Sequence, residues 1–256
     1  MASQLVTTVR NLQQRKGRRR RALTLAEGVR LVEEALAAGV AIQGAVVSAA
    51  LGDAPRGAAL LKALAARAVP VEELAERPFG ALADTDTPQG IIAVIEPPRW
   101  SFADIRVGPG VPVLVLDAVQ DPGNVGTLLR TAFALGAAGV VLLKGTADLA
   151  NPKVVRGAMG ASFRLPAVPA DEPELAAWVQ RERLTIWAAA ADGAPLTRAA
   201  PPERLALIVG NEGVGVSPAL RALAHQQVAI PLARGAESLN VAVAAGILLY
   251  EARRGR

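Results

Sequence analysis

The sequence predicts an α/β chain in two parts, the second built on a mostly parallel sheet. Three observations carry that expectation. In the second half, short apolar runs alternate with stretches of helical periodicity. Those runs, over residues 111–116, 139–143, 185–190, 205–209 and 227–231, are continuously apolar, as strands covered on both faces must be. Between the halves, Pro97-Pro98 and Gly108-Pro109-Gly110 bracket a segment with no period, which reads as a semi-rigid linker.

The elements follow in order. Residues 23–38 carry Leu25, Val29, Val32 and Leu36 at helical spacing. Residues 45–49 read as a strand, 58–68 as a helix, 69–71 as a brief strand, and 72–82 as one or two helical turns. Thr87-Pro88-Gln89-Gly90 signals a turn before a β-branched strand over 91–95. The helices expected in the second half span 124–135, 151–159, 173–183, 217–224 and 239–253. The division is therefore a first domain over 1–98, a linker over 99–110, and a second domain over 111–256.

Composition narrows the chemistry. The 256 residues include no cysteine, which excludes disulfides, zinc ribbons and thiol catalysis and fits a reducing, cytoplasmic setting. A single histidine, His225, leaves no histidine-rich metal site, and it reads as a capping or surface residue at a helix end. No metal is expected. No uncharged apolar run reaches the 18 residues of a membrane span, and no signal-peptide pattern follows the basic N-terminus.

The charge is local. Arg10, Arg15, Lys16, Arg18, Arg19, Arg20 and Arg21 precede the first acid, Glu27; set aside from the net +5, these seven leave a remainder of −2. A basic arm of this density can neutralise several phosphates and release their counterions. Nucleic acid is the expected partner, with a membrane surface or an acidic protein as alternatives. Aromatic residues make up 3%, so an aromatic base-stacking platform is not expected, and Trp100, Trp178 and Trp187 read as packing residues.

In parallel sheets ligands sit beyond the carboxyl ends of the strands. Three segments there stand out. After the strand at 111–116, Asp117 to Ala132 forms a polar turn, with Asn124 at a helix start and Arg130 about a turn and a half further on. Arg130 reads either as a phosphate anchor or as a surface cation on an amphipathic helix. After the strand at 205–209 comes Gly210-Asn211-Glu212-Gly213-Val214-Gly215, dense enough in glycine for close approach to a ligand. It lacks both the Rossmann and the Walker spacing. After the strand at 227–231, Ile230-Pro231 leads to Ser238-Leu239-Asn240-Val241, opening the last helix.

Together and in this order, Asn124-x-Gly126-x-x-x-Arg130, Gly210-x-Glu212-x-x-Gly215, and Ile230-Pro231 with Ser238-Leu239-Asn240-Val241 closely resemble the signature motifs of the SpoU (TrmH-like) branch of the SPOUT RNA methyltransferases. The resemblance covers residues 111–254. The first half also resembles that family's small ribosomal-protein-like α/β RNA-binding domain, through Ala26-Glu27-Gly28 and Thr87-Pro88-Gln89-Gly90. What the resemblance implies is a trefoil-knotted C-terminal domain, a homodimer, and S-adenosyl-L-methionine held at Gly210, Ile230 and Leu239, with Ser238 and Asn240 lining the same cofactor site. Asn124, Arg130 and Glu212 are the implied catalytic residues. Arg15, Lys16, Arg18, Arg19, Arg20 and Arg21 are the expected RNA contacts. The loop Ala233-Arg234-Gly235-Ala236-Glu237 departs from any fixed family pattern, so Arg234 and Glu237 are weaker candidates for substrate contact.

The implied reaction moves a methyl from a sulfonium to a ribose 2′-hydroxyl of RNA, with 23S rRNA the expected target. An arginine stays protonated, so Arg130 reads as a stabiliser of the developing alkoxide and a grip on phosphate rather than a base. Glu212 or a water is left to take the proton. The alternatives are a tRNA-directed 2′-O-methyltransferase, a catalytically silent RNA-binding protein of the same fold, and, least supported, a dinucleotide-binding oxidoreductase.

Overall fold

In chain order the helices and strands are α1 (Gln4–Gln13), α2 (Arg15–Arg21), β1 (Thr24–Glu27), α3 (Val29–Ala37), β2 (Ile42–Ser48), α4 (Pro55–Ala66), β3 (Val71–Leu74), α5 (Glu76–Gly80), β4 (Ile91–Ile95), β5 (Val113–Leu116), α6 (Pro122–Ala134), β6 (Gly139–Leu142), α7 (Pro152–Ala158), β7 (Ala167–Pro169), α8 (Glu172–Glu182), β8 (Thr185–Pro195), β9 (Leu205–Val209), α9 (Pro218–Leu223), β10 (Gln226–Ala229) and α10 (Val241–Arg253). They come from a computed structural model, which describes residues 3–198 and 200–253. The chain forms two units. One runs to Arg99 and includes Asp148–Arg164; the other holds Trp100–Ala147 and the chain from Leu165 onward.

The first unit is a four-stranded sheet in the order β1-β4-β2-β3, antiparallel except for the β2–β3 pair. Its pleat sorts side chains by alternation. Leu25, Val46, Ile92 and Val94 face α1, whose Val6, Val9 and Leu12 are buried against them. Ala26, Ala45, Val47, Ile91 and Ala93 pack instead with α3 and α4, through Leu31, Val32, Leu60 and Leu64. Val155 and Phe163, far along the chain, complete this second core. The segment 148–164, expected within the second domain, therefore packs with the first unit, and α7 lies against β1.

Two expectations are corrected here. Residues 24–27 are a strand, not the start of a helix; all four are buried, and the helix begins only after Gly28, whose φ of 103° breaks the run. Gln89 Oε1 then accepts the Val29 amide at 3.1 Å, so the turn Thr87–Gly90 closes the helix start. Glu27 is buried and accepts the amides of Asp84 and Thr85. Nor is the basic N-terminus a free arm. It folds as α1 and α2, and Arg18 is 5% exposed. Its Nη1 donates to the carbonyls of Leu12 and Gln13, at the end of α1, and Nη2 pairs with Asp148 at 3.3 Å. Arg10, Arg15, Arg19, Arg20 and Arg21 are exposed.

In the second unit six strands lie in the order β10-β8-β9-β5-β6-β7, and every pairing is parallel. Val113, Val115, Val141, Ile186 and Ile208 form one core with Leu175, Trp178 and Val179 of α8 and Leu220 of α9. The alternate residues, Leu114, Leu116, Val140 and Leu207, are equally buried; α6 and α10 pack against each other, α6 on β6 and α10 on β9. Residues expected as linker join this unit: Trp100, Phe102, Ile105 and Val107 pack on its core, and the Phe102 ring stacks on Trp178 at 4.8 Å. Trp178 and Trp187 are buried, as packing residues. The three-residue β7 was not foreseen, and β8 runs on to Pro195 beyond the expected end at residue 190. Among the described residues no helix is long and apolar enough to cross a membrane.

Arg18→Ala should leave one Asp148 oxygen, the buried Leu12 carbonyl and the partly buried Gln13 carbonyl without the donor that Arg18 supplies. We expect it to lower the unfolding free energy by about 1–3 kcal/mol in denaturant titration, whereas the exposed Arg20→Ala should shift it by less than about 0.5 kcal/mol.

Candidate active site

The three turns that follow β5, β9 and β10 meet at the carboxyl ends of the parallel strands. Their junction is the carboxylate of Glu212. It accepts the backbone amides of Gln120 and Asp121, each at 3.2 Å, and the Asn124 side-chain amide at 3.0 Å. The same Asn124 amide uses its oxygen to accept Asn240 Nδ2 at 2.9 Å. Asn240 Oδ1 in turn accepts the amide of Ala242, at the start of α10. One residue from each of the three motifs thus joins a single hydrogen-bonded chain.

Burial acts to raise the Glu212 pKa, but the Asn124 side chain and the amides of Glu212, Gln120 and Asp121 outweigh it and hold the carboxyl below the ordinary glutamate range. A carboxylate so occupied is a weak base. The geometry makes Glu212 a brace between turns.

The turn after β9 is held by a residue that the sequence reading passed over. Asn211 Oδ1 accepts the amides of Gly213 and Val214, its Nδ2 donates to the Ala118 carbonyl, and its backbone pairs both ways with Gly215. The signal was present: asparagine before a glycine-rich turn commonly hydrogen-bonds the backbone ahead of it. Gly210 is required because any Cβ there would overlap the backbone of Gly215 and Val216. Asp117, buried at the end of β5, accepts the Ser217 amide at 2.7 Å and was likewise not anticipated. Ala118, with φ of 53°, turns the chain sharply just after it.

A cavity of about 620 Å³ opens beside this turn. Gly210, Ile230, Ser238, Leu239 and Asn240, the residues expected to bind a cofactor, all line it, together with Glu212. Val209, Val228, Val241 and Leu248 give it apolar walls; Asp192, Arg221 and Glu237 are its other charged groups. Of the two weaker candidates from the 233–237 loop, Glu237 lies on the lining and Arg234 does not. A pocket of this size, apolar with a few convergent polar groups, suits a small organic ligand.

Asn124 belongs to the network but not to the cavity wall. Arg130 belongs to neither. It is exposed on α6 and makes no hydrogen bond or ion pair among the described residues. Six residues separate it from Asn124, which on a helix is about 9 Å of rise and a different face. One chain therefore does not bring Arg130 to the cavity. Close to it in sequence, Phe133 is 44% exposed, and α10 exposes Val243, Ile247 and Tyr250 at the spacing of one helical face. His225 lies outside the cavity; its Nδ1 accepts the Ile186 amide, a structural role. Among the described residues no cluster of three or more histidine, aspartate or glutamate side chains could hold a metal ion. Arg15, Lys16, Arg19 and Arg20 surround an open depression of about 610 Å³ on the first unit; Arg18 does not line it.

The Glu212 network has a pH signature. The folded carboxyl sits below the unfolded value of about 4.3, so near that pH the unfolded chain binds more protons. Its contribution to stability is complete above about pH 4.3 and is lost as pH falls through the lower folded value. Glu212→Gln should therefore lower Tm at pH 7 and flatten the fall in Tm between about pH 5 and pH 3, followed by thermal melts across that range; an unchanged acid limb would refute the brace.

Comparison with known proteins agrees with this layout. Residues 112–250 match the SpoU rRNA methylase family, and residues 4–93 match the MRM3-like substrate binding domain. The chain is 40% identical over 252 residues to the 23S rRNA (guanosine(2553)-2′-O)-methyltransferase RlmP of Bacillus subtilis, covering 98% of this chain and 96% of that one. Among solved structures, the AdoMet-bound rRNA methyltransferase of Sinorhizobium meliloti superposes with a TM-score of 0.86 at 33% identity, covering 98% of this chain and 95% of that one. The SpoU methyltransferase AviRb of Streptomyces viridochromogenes, in complex with AdoMet, gives the same TM-score at 30% identity, covering 99% and 98%. With the motif network, the cavity and more than half of its length matched, the chain belongs to the SpoU rRNA methylase family.

Proposed function

We propose that this protein is an S-adenosyl-L-methionine-dependent RNA ribose 2′-O-methyltransferase whose substrate is 23S rRNA. The observation that carries the reading is the convergence of Glu212, Asn124 and Asn240 beside a cavity lined by Gly210, Ile230 and Leu239. Relatives that resemble the chain over nearly its whole length are named as 23S rRNA 2′-O-methyltransferases or AdoMet-bound methyltransferases, which supports the same substrate and cofactor here. A 23S rRNA substrate, as named for the Bacillus subtilis relative, supports a cytoplasmic location.

The cavity fits such a cofactor on its own chemistry. Its apolar walls suit an adenosine, the tight turn at Gly210 lets backbone approach closely, and Arg221, Asp192 and Glu237 offer charge for an amino-acid end. When bound, the sulfonium supplies an activated methyl that leaves with loss of positive charge. The chain's residues do the positioning, which is the larger part of the rate for two bound reactants. Ser238, Leu239 and Asn240 hold the third turn against the cavity. Glu212 and Asn124 fix the first and second turns to each other. Arg130 grips the RNA phosphate and stabilises the forming alkoxide, and the hydroxyl proton passes to water.

That role requires a second copy of the chain. Arg130 stands away from its own cavity, on a helix packed against α10, whose face exposes Val243, Ile247 and Tyr250. Packing of two copies through this face covers the apolar stripe and lets Arg130 of one copy serve the cavity of the other. The returning chain, from the sheet-edge strand β10 to α10 against α6, is the passage at which the family's knot is expected. On the first unit, Arg15, Lys16, Arg19, Arg20 and Arg21 are the proposed phosphate contacts; Arg18 is withdrawn from that set because its guanidinium is buried and already partnered.

Methyl transfer from labelled cofactor to 23S rRNA, with the modified ribose mapped, tests the reading. Wild-type protein should mark one nucleotide. Arg130→Ala should reduce turnover on the order of a hundredfold with cofactor affinity unchanged; full turnover would remove Arg130 from the mechanism. Tyr250→Glu should convert dimer to monomer in analytical ultracentrifugation and abolish transfer; a monomeric wild type would sink the shared-site arrangement. Arg20→Ala should weaken RNA binding and reduce its salt dependence, the slope falling by about one.

A further inference from the structure

We propose that Arg221 is the residue that recognises the carboxylate on the amino-acid end of the cofactor. The inference rests on the cofactor reading above and names a residue for it outside the three motifs. Among the described residues, Arg221 is the one cation on the cavity lining. Besides this cation, a ligand that carries an adenosine, a sulfonium and an α-carboxylate meets apolar residues, the neutral side chains of Asn211, Ser238 and Asn240, and three carboxylates, so Arg221 offers its anion the one full positive charge on the lining.

The side chain is held ready for this. Nη2 donates to both Asp192 oxygens, at 2.6 and 2.8 Å, and Nε donates to Gln227 Oε1 at 2.9 Å. Nη1 has no partner among the described residues. The guanidinium is therefore fixed in orientation through one side while its remaining nitrogen stays available. A fixed fork loses less freedom on taking a carboxylate than a free side chain does.

Asp192 can hold that geometry because of where β8 runs. The strand continues past the ladder with β9 and, after a register shift, pairs Ala194 and Pro195 with Val228 and Ala229 of β10. Gly193 sits so close to β10 that an added Cβ would come within 2.7 Å of the Val228 nitrogen. Asp192 and Gln227 are both brought to the Nε–Nη2 edge of Arg221 by this extension. The Asp192 carboxyl is kept below its ordinary range, foremost by its hydrogen bond from Arg221, so it remains an anion.

Titration calorimetry with two thioethers tests the assignment: S-adenosylhomocysteine, which keeps the amino-acid end, and 5′-methylthioadenosine, which lacks it. For Arg221→Ala we expect affinity for the first to fall on the order of ten- to a hundredfold and affinity for the second to stay within about twofold of wild type. Arg221→Lys, a point charge without the fork, should recover part of the loss. Retained binding of 5′-methylthioadenosine shows that the variant has folded. Equal loss for both ligands would overturn the proposal, since Arg221 would then only shape the turn. No loss for either would overturn it as well. So would lost affinity for 23S rRNA with S-adenosylhomocysteine binding intact, which would make Arg221 a phosphate contact. A wild-type protein that bound neither thioether would instead bring down the cofactor reading itself.

Discussion

The functional end of the second unit depends on one carboxylate shared between two turns. Glu212 sits on the turn after β9, and its acceptors are filled from the turn after β5: two backbone amides and one side-chain amide. Hydrogen bonds to an ionised group are roughly twice as strong as neutral ones, and three of them from one short segment leave that segment little choice of conformation. The constraint then passes through Asn124. Because its Nδ2 donates to Glu212, its oxygen is left to accept from Asn240, so both ends of one amide are used and the third turn is tied in. Without the carboxylate the turns stay linked through Asn211 to the Ala118 carbonyl, Asp117 to the Ser217 amide and Asn124 to Asn240, but the three bonds that gather at one point are lost.

This explains why the cavity needs so little specialised chemistry in its walls. Parallel strands deliver three turns to the same edge of the sheet, and close approach is secured by small or self-bonded residues: Gly210 against Gly215, and Asn211 against the amides ahead of it. A group with three donors on it and a depressed pKa is badly suited to accept a proton. The arrangement fits a reaction in which orientation and charge stabilisation contribute more than general-base catalysis.

Much of this was legible in the residues. The strands expected at 91–95 and 205–209 have the bounds of β4 and β9, because continuous apolar runs with turn residues at each end admit few other readings. The motif residues Asn124, Glu212 and Asn240 could be picked out, but not their bonding, since spacing along a chain says nothing about which carboxylate meets which amide. Thr24–Glu27 was misread because Leu25, Val29, Val32 and Leu36 keep a helical spacing straight through Gly28; a strand buried on both faces has no period of its own to contradict it. Val155 and Phe163 carry no local sign that their core is the first unit's. Arg221 and Asp192 stood in unremarkable sequence, and only the extension of β8 beside β10 brings them together.

Arg18 shows most plainly what charge counting omits. Four consecutive arginines look equivalent in a sequence, and electrostatic attraction to a polyanion grows with their number. Folding distinguishes them by geometry. On a helix of seven residues one position in the run faces inward, and there the guanidinium meets the carbonyls that close α1 and the carboxylate of Asp148. A buried cation without such partners would cost several kcal/mol, so the inward position demands an arginine with its planar spread of donors as much as the outward positions reward any cation. Arg18 builds the surface from which Arg15, Lys16, Arg19 and Arg20 project. The basic helix thus presents one arginine fewer to solvent than its sequence suggests, and is held in place by that same arginine.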